Sequence, residues 1–511
     1  MSELSSNKII AKNTVLLYFR MMLTMVVSLY TSRVILDVLG VDDFGIYQTV
    51  GGIVMMLAFV NNALANGTSR FLTYELGTGD TDKLKRTFST VLWTNVGLAI
   101  LVVILAETIG LWLVYNKLVI PLNRLDAAII AYHLSVLTCF FQLALVPFNA
   151  SIISHEKMGV YAYMGIIDVC MKLAICYLLN IGGMDKLIIY ASLLCLLQVI
   201  ITFAYIIYCK TNFNESQLRL YVDWKILKNV ISYSSWSMIA SSAIALNAQG
   251  ITVLINMFFS PAVVSARAIA NQVNMAANQF LQNFRTAVTP QIVKKYAAGD
   301  YEGSKYLLLE STIFSYYLML LLAMPIFMVA DILLGIWLKD VPEYTTVFLQ
   351  LAILTSLFQV FDTSFYTALY AKGQIKENAL LSPTLALLVF PVTYFLFELG
   401  FSPVASAWTM FVVYAFAGLI LKPILIIKIV GYTWSEIMKV FKPCFWVSII
   451  SAIIPVVFYI YRNTLFPNTF LQFFMLSGIS ILSVAVTVWV IGLDKGMKEK
   501  IVHLVKSKIK K

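Results

Sequence analysis

The sequence predicts an all-α polytopic membrane protein of about 14 transmembrane helices. Three observations carry this. Of 511 residues, 60% are hydrophobic and only 12% are charged, against about 25% charged in soluble domains. The mean hydropathy of +0.84 is spread along the whole chain rather than held in one anchor. The apolar residues also come in continuous runs near the 20 residues that cross a bilayer as a helix.

Fourteen such runs follow one another, centred near residues 25, 55, 101, 140, 170, 198, 242, 276, 320, 357, 388, 415, 449 and 480. They are too apolar and continuous for barrel strands. The polar start "MSELSSNKIIAKN" has no cleavage-site pattern, so the first run is expected to stay as a helix. The loops are short, with the longest outside ones, near 115–126 and 331–343, about a dozen residues each by the span count.

Orientation follows from the basic residues. The net charge of +11 falls in short segments between spans, which is a topology pattern and not a nucleic-acid patch. With the N-terminus inside, 26 of the 37 Lys and Arg lie in inside segments, five in outside loops and six within spans. Both termini are therefore expected in the cytoplasm. The basic tail 495–511 is expected beside anionic headgroups.

The six cysteines show no metal or disulfide spacing and read as small buried hydrophobes. His133 and His155 fall at helix ends and His503 in the tail. No paired-carboxylate or Ser/His/Asp constellation is visible, and no outside loop could house one. The expectation is a transporter, not an enzyme, with no cofactor and no metal site.

An internal repeat is visible. The inside loop "RFLTYELGTGDTDKLKRTFS" aligns with "QIVKKYAAGDYEGSKYLLLE", which places Gly79–Asp80 on Gly299–Asp300 at an offset of 220. Six helices per unit is an even number, so the halves are parallel repeats. The expected organisation is an N-lobe over 1–212, a C-lobe over 225–430, two further helices over 431–494, and the tail.

Function should lie on polar faces inside the spans, because a charge there costs about 2.5–3.5 kcal/mol. On the eighth span Arg267, Asn271, Asn274, Asn278, Gln282, Arg285 and Thr289 share a sector of about 80°. This stripe is expected to line a wet cavity. A milder stripe on the seventh span holds Ser234, Ser237, Ser241, Gln249, Thr252 and Asn256, with packing as an equal alternative. Asp168 and Lys172 form an acid-before-base i,i+4 pair on the fifth span. Asp362 on the tenth has no obvious local partner. These three are ion-coupling candidates; the alternatives are a self-neutralised pair and an interhelical pair. On the first span Arg20 lies on the main polar face, while Arg33 lies roughly 140° away with Asp37. Arg33 is expected to brace the outer cavity rim, and Lys422 to snorkel from an inner end.

"YTSRVILDVLGVDDFGIYQTV", followed by "TSRFLTYELGTGDTDKLKRTFSTVL", resembles the N-terminal signature of bacterial polysaccharide and O-antigen flippases (Wzx-type). These belong to the multidrug/oligosaccharidyl-lipid/polysaccharide (MOP) exporter superfamily. The resemblance implies a V-shaped pair of six-helix lobes plus two C-terminal helices, in the bacterial inner membrane. It implies alternating access that moves undecaprenyl-pyrophosphate-linked oligosaccharide repeat units, coupled to H+ or Na+, beside membrane lipids and glycan polymerase machinery. It points to Arg20, Arg33, Arg267 and Arg285 for the pyrophosphate, and to the last two helices for the lipid tail. Arginine forks suit phosphate oxygens, and Asn271, Asn274, Asn278 and Gln282 suit sugar hydroxyls. The competing reading is a drug or cation exporter of the same superfamily, in which the acids would be essential. A membrane glycan polymerase or ligase is disfavoured by the short loops.

Overall fold

The computed structural model describes residues 3–58, 60–179, 183–217, 221–374, 376–466, 468–494 and 496–499. Most of the basic tail, with His503, lies outside them. The described residues are mostly helical, with no strand among them. In chain order the helices are α1 Glu3–Leu39, α2 Val41–Leu57, α3 Val60–Thr78, α4 Thr81–Leu105, α5 Leu111–Asn116, α6 Leu125–Ser154 and α7 Met158–Leu178. Then come α8 Lys186–Asn212, α9 Trp224–Ala245, α10 Ile251–Phe258, α11 Pro261–Ala297, α12 Tyr301–Met328, α13 Ala330–Trp337 and α14 Thr345–Lys372. The last seven are α15 Lys376–Leu387, α16 Val389–Glu398, α17 Ala405–Phe416, α18 Lys422–Val430, α19 Trp434–Ile460, α20 Arg462–Leu465 and α21 Thr469–Thr487.

Among the described residues, eleven helices are long and apolar enough to cross a membrane. The three other predicted centres fall on helices that miss that measure for visible reasons. The α2 helix has 17 residues. The α9–α10 stretch is interrupted, and its apolar part is Ser242–Phe258. The α11 helix carries the polar stripe. The chain is a multi-pass membrane protein, and its outward surface agrees with that. Leu196, Ile200, Phe203 and Ile207 recur at helical spacing on α8 and are all exposed, a stripe that needs lipid to cover it. Cys170 is exposed too, beside exposed Ile167 and Met171. It faces outward, contrary to its expected burial; the other five cysteines are buried.

The chain forms two compact units, Met1–Ala268 and Ile269–Lys511. The boundary falls inside α11. In the first unit the core gathers Ile46, Val50, Ile53, Ala99, Val102, Ala128 and Tyr132 from α2, α4 and α6. In the second, Tyr316 of α12 stacks on Phe361 of α14, and Phe441 of α19 meets Phe361 edge-on, with centroids 5.0 and 4.9 Å apart.

The two Gly-Asp loops fold alike. Gly79 and Gly299 take φ of 74° and 80°, a region glycine reaches without strain. Each is followed by an aspartate N-cap. The Asp80 carboxylate accepts from the Lys83 N–H at 3.0 Å, and that of Asp300 from the Gly303 N–H at 2.8 Å.

Among the described residues, four stretches form a five-residue π-turn: Ala106–Gly110, Leu246–Gly250, Ala417–Leu421 and Val488–Gly492. Such a turn loosens the α ladder and leaves carbonyls to satisfy. In three of the four a long neighbouring side chain does so. Tyr132 donates its hydroxyl to the Ala106 carbonyl at 2.6 Å, and Tyr317 to that of Gly492 at 3.0 Å. Arg267 serves Leu246–Gly250, as described below.

The signature around "LGVDDFGIYQ" is a structural joint. Gly40 turns the chain at φ 81°. Asp43 takes the Arg124 Nε at 2.8 Å, and Arg124 also binds Asp185. Tyr47 packs edge-on to Tyr190 at 4.8 Å. The Arg124 hydrogen bond holds Asp185 below its usual carboxylate range, while burial pushes Asp43 up despite the same arginine. A carboxylate with a lowered folded pKa stabilises above its unfolded value, about 3.9, and loses that contribution as pH falls through the folded value. Asp185→Asn retains the α8 cap but lacks the charge. It is expected to melt below the parent at pH 6, by a gap that narrows as pH falls below about 3.9. A gap that does not change with pH would remove this role.

Candidate functional site

In the first unit, α7 presents Tyr161, Gly165, Asp168 and Lys172 at spacings of four, three and four, hence on one face. Lys172 Nζ donates to Asp168 Oδ2 at 2.8 Å, so the predicted pair forms. Arg20 of α1 lies on the same face. Its Cζ stands 4.4 Å over the Tyr161 ring. A Cβ on Gly165 would come within 3.0 Å of Arg20 Cδ and 3.2 Å of Nη1. Glycine at this position lets the arginine lie against the α7 backbone. Arg33 and Asp37 are exposed further along α1.

In the second unit, Asp362 of α14 lies 3.3 Å from Lys422 Nζ. Lys422 is 2% exposed; it does not snorkel. Its Nζ donates to Asn378 Oδ1 and stands 5.3 Å over the Tyr366 ring. Backbone geometry puts it there. The π-turn Ala417–Leu421 directly precedes Lys422, and Gly418 fits against α14 so closely that a Cβ would sit 2.5 Å from the Phe358 carbonyl oxygen. Arg285 of α11 donates to the Thr363 carbonyl, the residue after Asp362.

The eighth-span stripe divides by use. Arg267 is 6% exposed and is turned into the protein. Its guanidinium donates to Thr252 Oγ1 at 2.6 Å, to the Ala248 carbonyl at 3.1 Å and to that of Asn247 at 3.4 Å. Those carbonyls belong to a π-turn. Asn278 Nδ2 donates to Ser356 Oγ at 2.9 Å, and Ser356 donates to Asn274 Oδ1 at 2.8 Å. Asn271 is half-buried and Gln282 exposed. On the seventh span Asn256 Oδ1 accepts from the Val119 N–H at 3.1 Å; the side chains of Ser234, Ser237 and Ser241 lie outside those described. Sequence reading missed Asn378 and Tyr161, which no charge marks; it allowed an interhelical pair for Asp362 without naming Lys422 as the partner. The two opposite charges inside the same lobe were the available signal for that contact.

Residues 237–395 match the MatE family. No curated protein matches the chain by sequence. Among solved structures, the fold is similar to that of the lipid II flippase MurJ in an inward closed conformation. The TM-score is 0.65 at 13% identity, covering 93% of this chain and 98% of that one. It is also similar to the MATE multidrug transporter DinF-BH, at TM-score 0.60 and 15% identity, over 83% and 96%. A MOP superfamily transporter from Pyrococcus furiosus, whose binding pocket of reverse polarity suggests a different function, aligns at TM-score 0.57 and 14% identity over 83% and 97%. The chain shares the fold of these membrane transporters.

Proposed function

We propose that the protein is a MOP-superfamily flippase that carries undecaprenyl-pyrophosphate-linked oligosaccharide units across the bacterial inner membrane by alternating access. One observation carries this reading: each unit holds a lysine–carboxylate pair inside its spans with an arginine nearby. They are Lys172 and Asp168, with Arg20 over Tyr161 on the same α7 face, and Lys422 and Asp362, with Arg285 on the carbonyl of the next residue, Thr363. A surplus of fixed cations suits a pyrophosphate cargo. Coverage of 98% of the lipid II flippase supports it. So does a groove of about 800 Å³ in the second unit, lined by Leu320, Phe327, Leu357, Phe441, Phe445 and Trp446. Its apolar walls suit a polyprenyl tail. They come from α12, α14 and the thirteenth span, α19.

Asp168 and Asp362 are the places for a coupling H+ or Na+, since neutralising either releases its lysine. Arg33, Asn271 and Gln282 reach the glycan, while Arg267, Asn274 and Asn278 shape the wall. The MatE match favours a second reading, export of a cationic drug, in which the carboxylates bind cargo.

Arg20→Ala and Arg285→Ala are each expected to lower delivery of lipid-linked glycan to the outer leaflet at least tenfold, the scale of one lost charge-assisted contact. Accessibility of the glycan to an impermeant reagent in spheroplasts measures this. Normal delivery in both variants would overturn the reading. Efflux of a cationic dye that survives both arginine changes and fails in Asp362→Asn would install the second one.

A further inference from the structure

A second polar site lies wholly within the first unit, where α3 ends and α4 and α9 begin. It is a pocket of about 910 Å³. Its floor is Glu75, 6% exposed, and the buried Thr87. Lys83 Nζ holds Glu75 Oε1 at 3.0 Å. Glu75 Oε2 and Thr87 Oγ1 are buried with no hydrogen-bond partner. A buried carboxylate oxygen lacking a donor is costly, so a ligand that brings one is favoured.

The charges around this floor balance. Four cations line the pocket, Arg70, Lys83, Arg86 and Lys225, against the carboxylates of Glu75, Asp80, Asp82 and Asp223. Two of those carboxylates are held by backbone. Asp80 caps α4 through the Lys83 N–H, and Asp223 caps α9 through the Lys225 N–H at 2.9 Å. Asp82 stands exposed at the rim. The guanidinium groups of Arg70 and Arg86 lie 5.8 Å from the ring centres of Phe71 and Tyr221, and a guanidinium fork suits phosphate oxygens. Lys225 is exposed beside them. A pocket with fixed cations at its mouth and an unsatisfied carboxylate on its floor matches a zwitterion better than a polyanion.

Depth identifies the source of that zwitterion. Trp224 is 78% exposed and Tyr74 66%, and Tyr221 is exposed too. Exposed Trp and Tyr at helix ends mark the headgroup layer of a bilayer.

We propose that this pocket binds the headgroup of an ethanolamine phospholipid. The phosphodiester takes Arg86 and Lys225, and the primary ammonium donates to Glu75 Oε2. The site is separate from the cation clusters of Asp168 and Asp362.

The test uses the purified full chain and native mass spectrometry with dioctanoyl phospholipids. Phosphatidylethanolamine is expected to bind at least tenfold more tightly than phosphatidylcholine, whose trimethylammonium has no N–H for Glu75. R86A/K225A, a change at two exposed side chains, should weaken both lipids at least tenfold. Glu75→Gln should erase the preference between them while phosphatidylcholine binding stays. Equal affinity for the two lipids on the parent protein overturns the proposal, as does unchanged binding in R86A/K225A. Tighter binding of phosphatidylglycerol makes the site one for monoanions and overturns it too. Displacement by soluble phosphoethanolamine at the concentration of the lipid overturns the bilayer source.

Discussion

Lys422→Ala should cost the second unit about 3–5 kcal/mol, the scale on which a buried ion pair fails when one partner is removed. The lysine is 2% exposed, and its ammonium serves both Asp362 and the Asn378 amide oxygen. Truncation leaves a carboxylate and an amide oxygen facing each other with no donor between them. Replacing the whole pair is different, since apolar groups of similar volume often match a buried pair in stability. Lys422→Met with Asp362→Asn should therefore recover most of the loss. Denaturation midpoints in one detergent, for the parent, the two single variants and the double, give the coupling directly. If the losses simply add, the 3.3 Å approach is a coincidence of packing.

This pair also shows what the sequence could and could not tell. Asp362 and Lys422 both stood out as charges in hydrocarbon, because composition and length made the spans plain. Their meeting was not legible, since it depends on a π-turn at Ala417–Leu421 and on the missing side chain of Gly418. Neither feature has a period in the sequence. Asp168 and Lys172 were legible as a pair because both lie on one helix, four residues apart, and the contact is 2.8 Å. Arg267 marks the limit of face arithmetic. It shares a sector with Asn274 and Asn278, yet its guanidinium turns back to the carbonyls of Asn247 and Ala248. A long side chain reaches several ångströms from its helical sector, so the nearest unsatisfied backbone group decides where it ends. The Gly-Asp loops were legible as a repeated pair at an offset of 220; the left-handed glycine and the aspartate cap came with the structure.

Gly45→Ala should be the most damaging single methyl in the first unit. A Cβ there would stand 1.9 Å from the Pro261 carbonyl oxygen and 2.9 Å from Ser265 Oγ. The obstacle is backbone at the start of a 37-residue helix, so it cannot swing aside as a side chain would. The α2 helix must instead back away from α11. That lengthens the 2.5 Å bond from Ser265 Oγ to the Val41 carbonyl and disturbs Asp43, which holds Arg124. Overpacking of this kind costs about 1–3 kcal/mol and sometimes more; loss of the Ser265 bond adds about 1 kcal/mol. Gly51→Ala, six residues on in the same helix, is the control. Its Cβ would meet nothing within 4 Å, and alanine in a helix interior should stabilise by about 0.5–1 kcal/mol. The two substitutions add the same methyl to the same helix and should move the melting temperature in opposite directions. Equal shifts would mean that the contact between α2 and the start of α11 does not constrain the fold. Opposite shifts would mean that the glycine of "VDDFG" is there for the joint at the head of α2, where its missing side chain lets the start of α11 approach.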